Sequence, residues 1–278
     1  MRKNAMTRLY ASVLFALGAL AGTATSASAQ FEPRTVDEPV VGEKYFIEGS
    51  SGFWSPGTSM SISSESLGIP GDIIDFRKDL GLTNHRFREM HLVLRPGKRH
   101  KLRYQYIPMQ YDQSAVAARE ITFNGQRFTA GIPVNSSLNW HAHRFGYEFD
   151  FISMARGYGG FVLDVKQTDV RAYLESPLVR RESAHAAAPI PAIGGIFRYY
   201  FIPQLSLTGE ITGFTLPERI FKDVKGHYLD VDFYGTYNFT RYFGAQFGFR
   251  RFDLGYQVDD DFGDFELKGV YFGAVIRY

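Results

Sequence analysis

Three features of the sequence predict an all-β fold, a transmembrane antiparallel up-and-down β-barrel of about ten strands. The first is an export signal at the amino terminus. The second is a series of long segments in which apolar and polar residues alternate at every second position, the period of a β-strand. The third is an abundance of aromatics, 17 Tyr and 25 Phe, in a chain of 278 residues. No apolar run after residue 30 approaches the roughly 20 residues of a spanning helix. A chain that enters a membrane without such helices must close its sheet, because every backbone polar group in hydrocarbon needs a partner inside the protein.

Taken in order, residues 1–29 form the signal. Arg2, Lys3 and Arg8 precede an apolar stretch at 9–21, and Ala27-Ser28-Ala29 is a small-residue cleavage site, so the mature chain is expected to begin at Gln30. Removing the signal takes three basic residues out of 31 and leaves 28 against 29 acidic ones. The basic character of the whole sequence therefore belongs to the signal, and charge gives no support to nucleic-acid binding. The absence of cysteine excludes disulfides, thiolate metal sites and a lipid-modified amino terminus. Residues 30–43 read as an extended lead-in and 44–278 as a single barrel domain.

Ten strands are expected near 44–54, 85–95, 99–110, 137–151, 157–169, 193–202, 204–214, 227–239, 242–256 and 264–278; eight remain possible if one hairpin belongs to a loop. Tight turns at 95–98, 152–156, 202–204 and 240–242 alternate with longer links at 55–84, 111–136, 170–192, 215–226 and 257–263. Within the strands, Leu102, Tyr104 and Tyr106 oppose Arg103 and Gln105, while Phe145, Tyr147, Phe149 and Phe151 oppose Arg144, Glu148 and Asp150. Phe161, Leu163 and Val165 oppose Asp164 and Lys166; Leu205, Leu207 and Ile211 oppose Thr208 and Glu210; Leu229, Val231 and Phe233 oppose Asp230 and Asp232. The ninth strand departs from the rule. Phe243, Phe247 and Phe249 share one parity and Phe252, Leu254 and Tyr256 the other, with the change at Arg250-Arg251. Either a β-bulge restores the alternation there, or the outer half of the strand rises above the membrane.

The last strand carries Val270, Phe272, Ala274, Ile276 and Tyr278 on one uninterrupted apolar face and ends on an aromatic residue. In this it resembles the closing strand of Gram-negative outer-membrane β-barrels. The resemblance implies an outer-membrane location, short turns and both termini on the periplasmic side, and long loops outside. It also implies that Tyr278, Ile276, Phe272 and Val270 act as the signal read by the barrel assembly machinery. The implied partners are that machinery and outer-membrane lipids including lipopolysaccharide, with the protein a monomer.

The polar faces gather Glu48, Glu89, His91, Arg95, Arg103, Arg144, Glu148, Asp150, Asp164, Lys166, Arg198, Glu210, Asp230, Asp232 and Arg250 into the lumen. Barrels of this strand number are narrow, and charges removed from water need partners. The expected arrangement is a plug of ion pairs; the alternative is a small selective pore.

Other chemistry is sparse. His141 and His143 share a face beside Trp140 and are assigned to the interfacial belt, with no metal or other cofactor expected. Lipid A deacylases carry a His-x-Ser strand motif, where this chain has His141-Ala142-His143 and lacks the nucleophile. Omptin-type proteases are similar in having ten strands and use paired aspartates with an Asp–His dyad; here Asp259-Asp260-Asp261 and His227 with Asp230 supply the residue types alone. Gly157, Gly159 and Gly160 read as kinks or close approaches within a strand. The segment 71–82, with Ile73, Ile74, Phe76, Leu80 and Leu82, is expected to pack on itself as a compact Ω-loop, the other options being to fold over the mouth, form a short helix or extend the hairpin. The functional expectation is a non-enzymatic outer-membrane scaffold with surface-interacting loops and a plugged lumen; a narrow pore, or a rim enzyme acting on lipid A or peptides, are the alternatives.

If the carboxyl-terminal residue is an assembly signal, deleting Tyr278 lowers the amount of protein inserted in cells but leaves refolding in detergent nearly intact. Quantifying heat-resistant barrel in membranes against refolding yield in vitro checks this, and equal insertion with and without Tyr278 contradicts it.

Overall fold

The computed structural model describes residues 40–63, 71–216, 224–258 and 261–278. The export signal, the lead-in up to residue 39 and the acidic pair 259–260 lie outside these described residues. Thirteen strands follow in order: β1 (Ile47–Ser63), β2 (Ile74–Asp75), β3 (Phe87–Leu94), β4 (His100–Val116), β5 (Ile121–Phe123), β6 (Gln126–Phe128), β7 (Pro133–Met154), β8 (Gly157–Glu175), β9 (Glu182–Ile202), β10 (Leu205–Thr215), β11 (Val224–Asn238), β12 (Phe243–Val258) and β13 (Asp261–Arg277). Ten of them pair antiparallel with their sequence neighbours, and β13 pairs with β1, closing the barrel. The remaining three are short: β2 pairs with β1, and β5 and β6 form a hairpin of their own about Asn124-Gly125, both with positive φ as a type I′ turn demands.

The seam is regular. Phe53 lies opposite Phe272 with ring centroids 5.9 Å apart. The Tyr278 carbonyl accepts hydrogen bonds from the backbone N–H of Phe46 at 2.8 Å and of Ile47 at 3.0 Å. The side chains of Tyr278, Ile276, Phe272 and Val270 all point outward. They join Phe145, Phe151, Phe197, Phe201, Phe233, Phe239, Phe247 and Phe249 in an exposed apolar belt around the barrel, the surface a hydrocarbon slab requires.

All ten expected barrel strands are present, and several run farther than expected. β4 continues to Val116, β7 begins at Pro133, β8 reaches Glu175 and β9 starts at Glu182. The additional length lies at the end with the long connections, called here the loop end. There most outward side chains are polar (Asp112, Asn135, Ser137, Arg171), with Val116 an exposed exception, while inward ones are apolar (Tyr111, Val134, Leu138, Trp140, Ala172, Leu174). The same inversion explains the ninth strand. β12 pairs in unbroken register with both β11 and β13, so it has no bulge. Phe243 to Phe249 face out below the change, and Phe252 and Leu254 are buried inside above it.

The inward apolar residues of the loop end make one core that includes Trp54, Trp140, Phe252 and Phe265. Into it the 71–82 segment inserts Ile74, Phe76, Leu80 and Leu82, and the β5–β6 hairpin inserts Ile121, Phe123 and Phe128. The segment is therefore a stopper in the mouth and not a self-packed Ω-loop; its apolar side chains find a larger dry surface in the barrel than in each other. It is held by the Arg119–Asp79 ion pair at 2.9 Å, by Arg119 to the Ile73 carbonyl at 2.7 Å and by the Thr122 N–H to Asp72 at 2.6 Å. Ile73 alone of its apolar side chains stays exposed.

At the opposite end, with the short turns, the last residues of the lead-in close the lumen. Asn238 donates to the Val41 carbonyl at 2.8 Å, and the Val41 N–H donates to that of Pro203 at 2.9 Å. Gly42, at φ 92°, lets the chain turn inward against Asn238. Glu43 then reaches Arg198 at 3.0 Å, Arg95 at 3.3 Å and the Tyr200 hydroxyl at 2.6 Å. Burial alone would raise the Glu43 carboxyl, but Arg198, Lys101, the Tyr200 hydrogen bond and Arg95 together bring it from 4.5 down to about 2. A depressed carboxyl contributes stability that is complete above its ordinary value and is lost as pH falls towards the folded one. Between pH 4.5 and about 2 the protein should accordingly lose on the order of 3 kcal/mol through this group. Urea unfolding in detergent across that window tests this: Glu43→Gln should flatten the slope, and an unchanged slope refutes the assignment.

Candidate functional site

Between the stopper and the lead-in, the lumen is filled by charge. β4, β7, β8, β10, β11 and β12 each turn one parity inward, and below the apolar core those positions are occupied by Lys, Arg, Asp and Glu. Arg103 lies 3.2 Å from Glu148 on the neighbouring strand and 2.6 Å from Glu210 on the far wall. Arg144 bonds both Asp164 and Glu210. Lys166 reaches Asp230 at 2.8 Å, and Arg250 grips the same carboxylate at 2.5 Å while lying 3.7 Å from Glu89. The strand order places β4 four positions from β10, so the Arg103–Glu210 pair crosses the lumen. Guanidinium forks suit this task, since their five donors in a fixed plane satisfy two carboxylates at once.

Of the residues assigned to the lumen, Glu48, Glu89, Arg144, Glu148, Asp150, Asp164, Lys166, Arg198, Glu210, Asp230 and Arg250 are buried, and His91, Arg95, Arg103 and Asp232 are partly buried. Glu48 pairs with Arg277 at 2.5 Å, Asp150 with Lys101 at 3.0 Å, and Arg198 with Glu43. Asp232 accepts from the Tyr271 hydroxyl at 2.9 Å, and His91 lies 3.5 Å from Glu89. Three members of the network were not foreseen. Lys101 is only 2% exposed, bonds Glu148 at 2.6 Å and sits 3.6 Å above the Tyr158 ring. It lies within the strand expected at 99–110 and shares the parity of Arg103, which was the available signal. Arg277 shares the parity of Tyr271 and Val275 and was equally legible. Glu43 precedes the first strand, and no periodicity marks it.

Where the charged and apolar layers meet, a cavity of about 20 Å³ is lined by Arg144, Lys166 and Arg250 on one side and by Trp54, Ile107 and Phe252 on the other. That is room for about one water. Trp54 faces Arg250 at 5.7 Å, bridging the two layers.

On the outer face, His143 and His141 lie at the upper edge of the apolar belt, with ring nitrogens 2.9 Å from the Tyr104 hydroxyl and 3.0 Å from that of Tyr106. His227 and Asp230 do not come together, because they are an odd number of residues apart on one strand and so face opposite ways. His227 instead meets Asp253 of β12 at 3.1 Å on the exposed outer face. Gly157 and Gly160 are close approaches: a Cβ at Gly157 would lie 2.2 Å from the Arg198 carbonyl oxygen, and one at Gly160 2.7 Å from that of Phe149. Beside them the β7–β8 register shifts between Asp150 and Ile152.

No family model and no curated protein matches the chain. Among solved structures, the outer membrane protease OmpT of Escherichia coli is similar at TM-score 0.54 and 8% identity, over 87% of this chain and 99% of that one. Ail, the attachment invasion locus protein of Yersinia pestis, matches at TM-score 0.34 and 11% identity over 83% and 99% of the two chains. The toluene transporter TodX of Pseudomonas putida matches at TM-score 0.33 and 7% identity over 90% and 100%. At such identities the likeness is one of fold. It corrects the expectation of a protein without enzymatic activity: this architecture is one that an outer-membrane protease uses, so the barrel is no argument against an enzyme. Its ten closed strands, its lipid-facing belt and this likeness together make the chain an outer-membrane β-barrel protein, with no particular member of that group singled out.

Proposed function

We propose that this outer-membrane barrel is closed to solutes and acts at its loop end, which faces out of the cell with both termini in the periplasm. The observation that carries this reading is the filled lumen. Ion pairs cross it, an apolar stopper occupies its mouth, and the lead-in is bonded across its base. Ten-stranded barrels have little interior to spare, and here the available width is taken by side chains of opposite charge. Activity is thereby left to the surfaces beyond the membrane, where loops held by a rigid scaffold commonly carry function.

A second reading is favoured by the His227–Asp253 pair. An imidazole held by a carboxylate on the exposed outer rim is the orienting half of a general-base arrangement. It stands at the edge of the belt, where lipid headgroups or peptides would meet it. Hydrolysis of lipid A or peptide by the wild type, lost in His227→Ala, would establish this reading.

Planar-bilayer recording tests the closed lumen. The wild type should show little or no steady conductance. Arg144→Ala leaves Asp164 and Glu210 without their shared guanidinium; the cost of such an uncompensated charge is about 3–5 kcal/mol, with transient current as the accompanying sign. A wild-type channel of stable, uniform size would reverse the reading in favour of the pore.

A further inference from the structure

We propose that the cavity where the charged and apolar layers meet binds a single chloride or other halide ion. The site is internal, so it is the same whichever end of the barrel faces out of the cell. Three cations line it, Arg144, Lys166 and Arg250, each more than nine-tenths buried. The carboxylates that pair with them, those of Asp164, Glu210 and Asp230, do not line it, and neither does any other carboxylate among the described residues.

Arg250 supplies the group that calls for a ligand. Its Nε and Nη2 hold the Asp230 carboxylate at 2.9 and 2.5 Å, which leaves Nη1. That nitrogen is buried without a hydrogen-bond partner among the described residues; the Glu89 carboxylate, at 3.7 Å, is beyond reach. The layer boundary creates this orphan, because Trp54, Ile107 and Phe252 on the opposite side of the cavity offer it no acceptor. A buried donor left unpaired costs more than a formed hydrogen bond contributes, so an accepting ligand is favoured there.

The lining distinguishes an anion from a water. Guanidinium and ammonium groups only donate, whereas a water also brings two hydrogens that need acceptors. The two neutral polar side chains at the cavity are committed elsewhere. The Gln105 oxygen accepts from Arg250 Nη2 at 3.4 Å, and the Gln105 amide nitrogen meets His91 at 3.1 Å. The Thr168 hydroxyl donates to the Ala188 carbonyl at 3.2 Å. A halide accepts from every side and donates nothing. Size completes the selection. About 20 Å³ takes one ion little larger than a water and excludes phosphate, sulfate and carboxylates.

A break in the wall beside the cavity supplies the way in. β3 pairs with β4 only as far as Met90–Tyr106, and Pro108, which has no N–H, follows two residues on. From Ile107 upward β4 is paired with β7 alone. Local opening at this edge admits an ion without unfolding the barrel.

The test uses the full chain refolded in detergent. Urea midpoints are measured in sodium chloride or bromide against sodium gluconate, whose anion is too large to enter, at equal ionic strength. The midpoint should be higher in halide and should rise with halide concentration, as for any ligand that binds only the folded state. Ala142→Leu, which fills the cavity and keeps all three cations, should abolish the difference; Ala142→Val serves if leucine prevents folding. Crystals grown in bromide should show one anomalous peak within hydrogen-bond distance of Arg250 Nη1. Equal midpoints in halide and gluconate overturn the proposal, and a bromide peak would then mark an adventitious ion only. An undiminished halide effect in natively folded Ala142→Leu overturns it too, as does the absence of the bromide peak from the wild type.

Discussion

The structure depends on a change of solvent partway along its strands. Below the level of Arg250 and Arg251 the outside of the barrel is hydrocarbon and apolar side chains belong there. Above it the outside is water, and the apolar side chains turn in. A strand keeps its two-residue period through this boundary, so the inversion is achieved by exchanging which parity is apolar, with no bulge in β12. β4 shows the same exchange, from outward Leu102, Tyr104 and Tyr106 to inward Ile107, Met109 and Tyr111. β13 shows it in the reverse chain direction, from inward Phe265 and Leu267 to outward Val270, Phe272 and Ile276.

Two different interiors follow. In the membrane level the lumen inherits the polar parity, and in so narrow a barrel it must neutralise itself. Pairs such as Arg103–Glu210 and Lys166–Asp230 join strands that are not neighbours. A buried pair contributes little net stability over well-packed apolar residues. Its effect on register is larger, because slipping one strand by a residue would turn a whole row of charges into lipid. Above the membrane the lumen inherits the apolar parity, and ten strands around an apolar mouth leave more dry surface than they can cover. The 71–82 segment and the β5–β6 hairpin supply the missing volume.

Legibility in the sequence follows the same division. The ten strands, the outward belt and the inward charges were readable because alternation between lipid and lumen is a strong, periodic signal. The upper reaches of β4, β7, β8 and β9 were assigned to loops because Asp112, Asn135 and Arg171 look like loop residues to a reading that expects apolar side chains to face out. In the ninth strand the two options were a bulge and a rise above the membrane, and the buried positions of Phe252 and Leu254 decide for the second. Lys101 and Arg277 obeyed the parity rule and were passed over. Glu43 and the seating of Phe76 are long-range facts, set by what each side chain meets across the barrel, and no local pattern carries them. The pairing of His227 with Asp230 failed on parity alone.

Segregation of tasks by parity also explains how one frame tolerates different outer surfaces. Inward positions are bound to one another by cross-lumen pairs and core contacts, so a change at one disturbs several. Outward positions above the membrane touch mainly solvent and their cross-strand neighbours. Substitutions there leave the barrel standing, and such substitutions within about ±0.5 kcal/mol are the rule for exposed sites. A His–Asp pair or a bare polar sheet can thus be written onto the same frame. The His227–Asp253 pair lies among such outward side chains, on β11 and β12, where substitution leaves the strand pairing and the lumen pairs untouched.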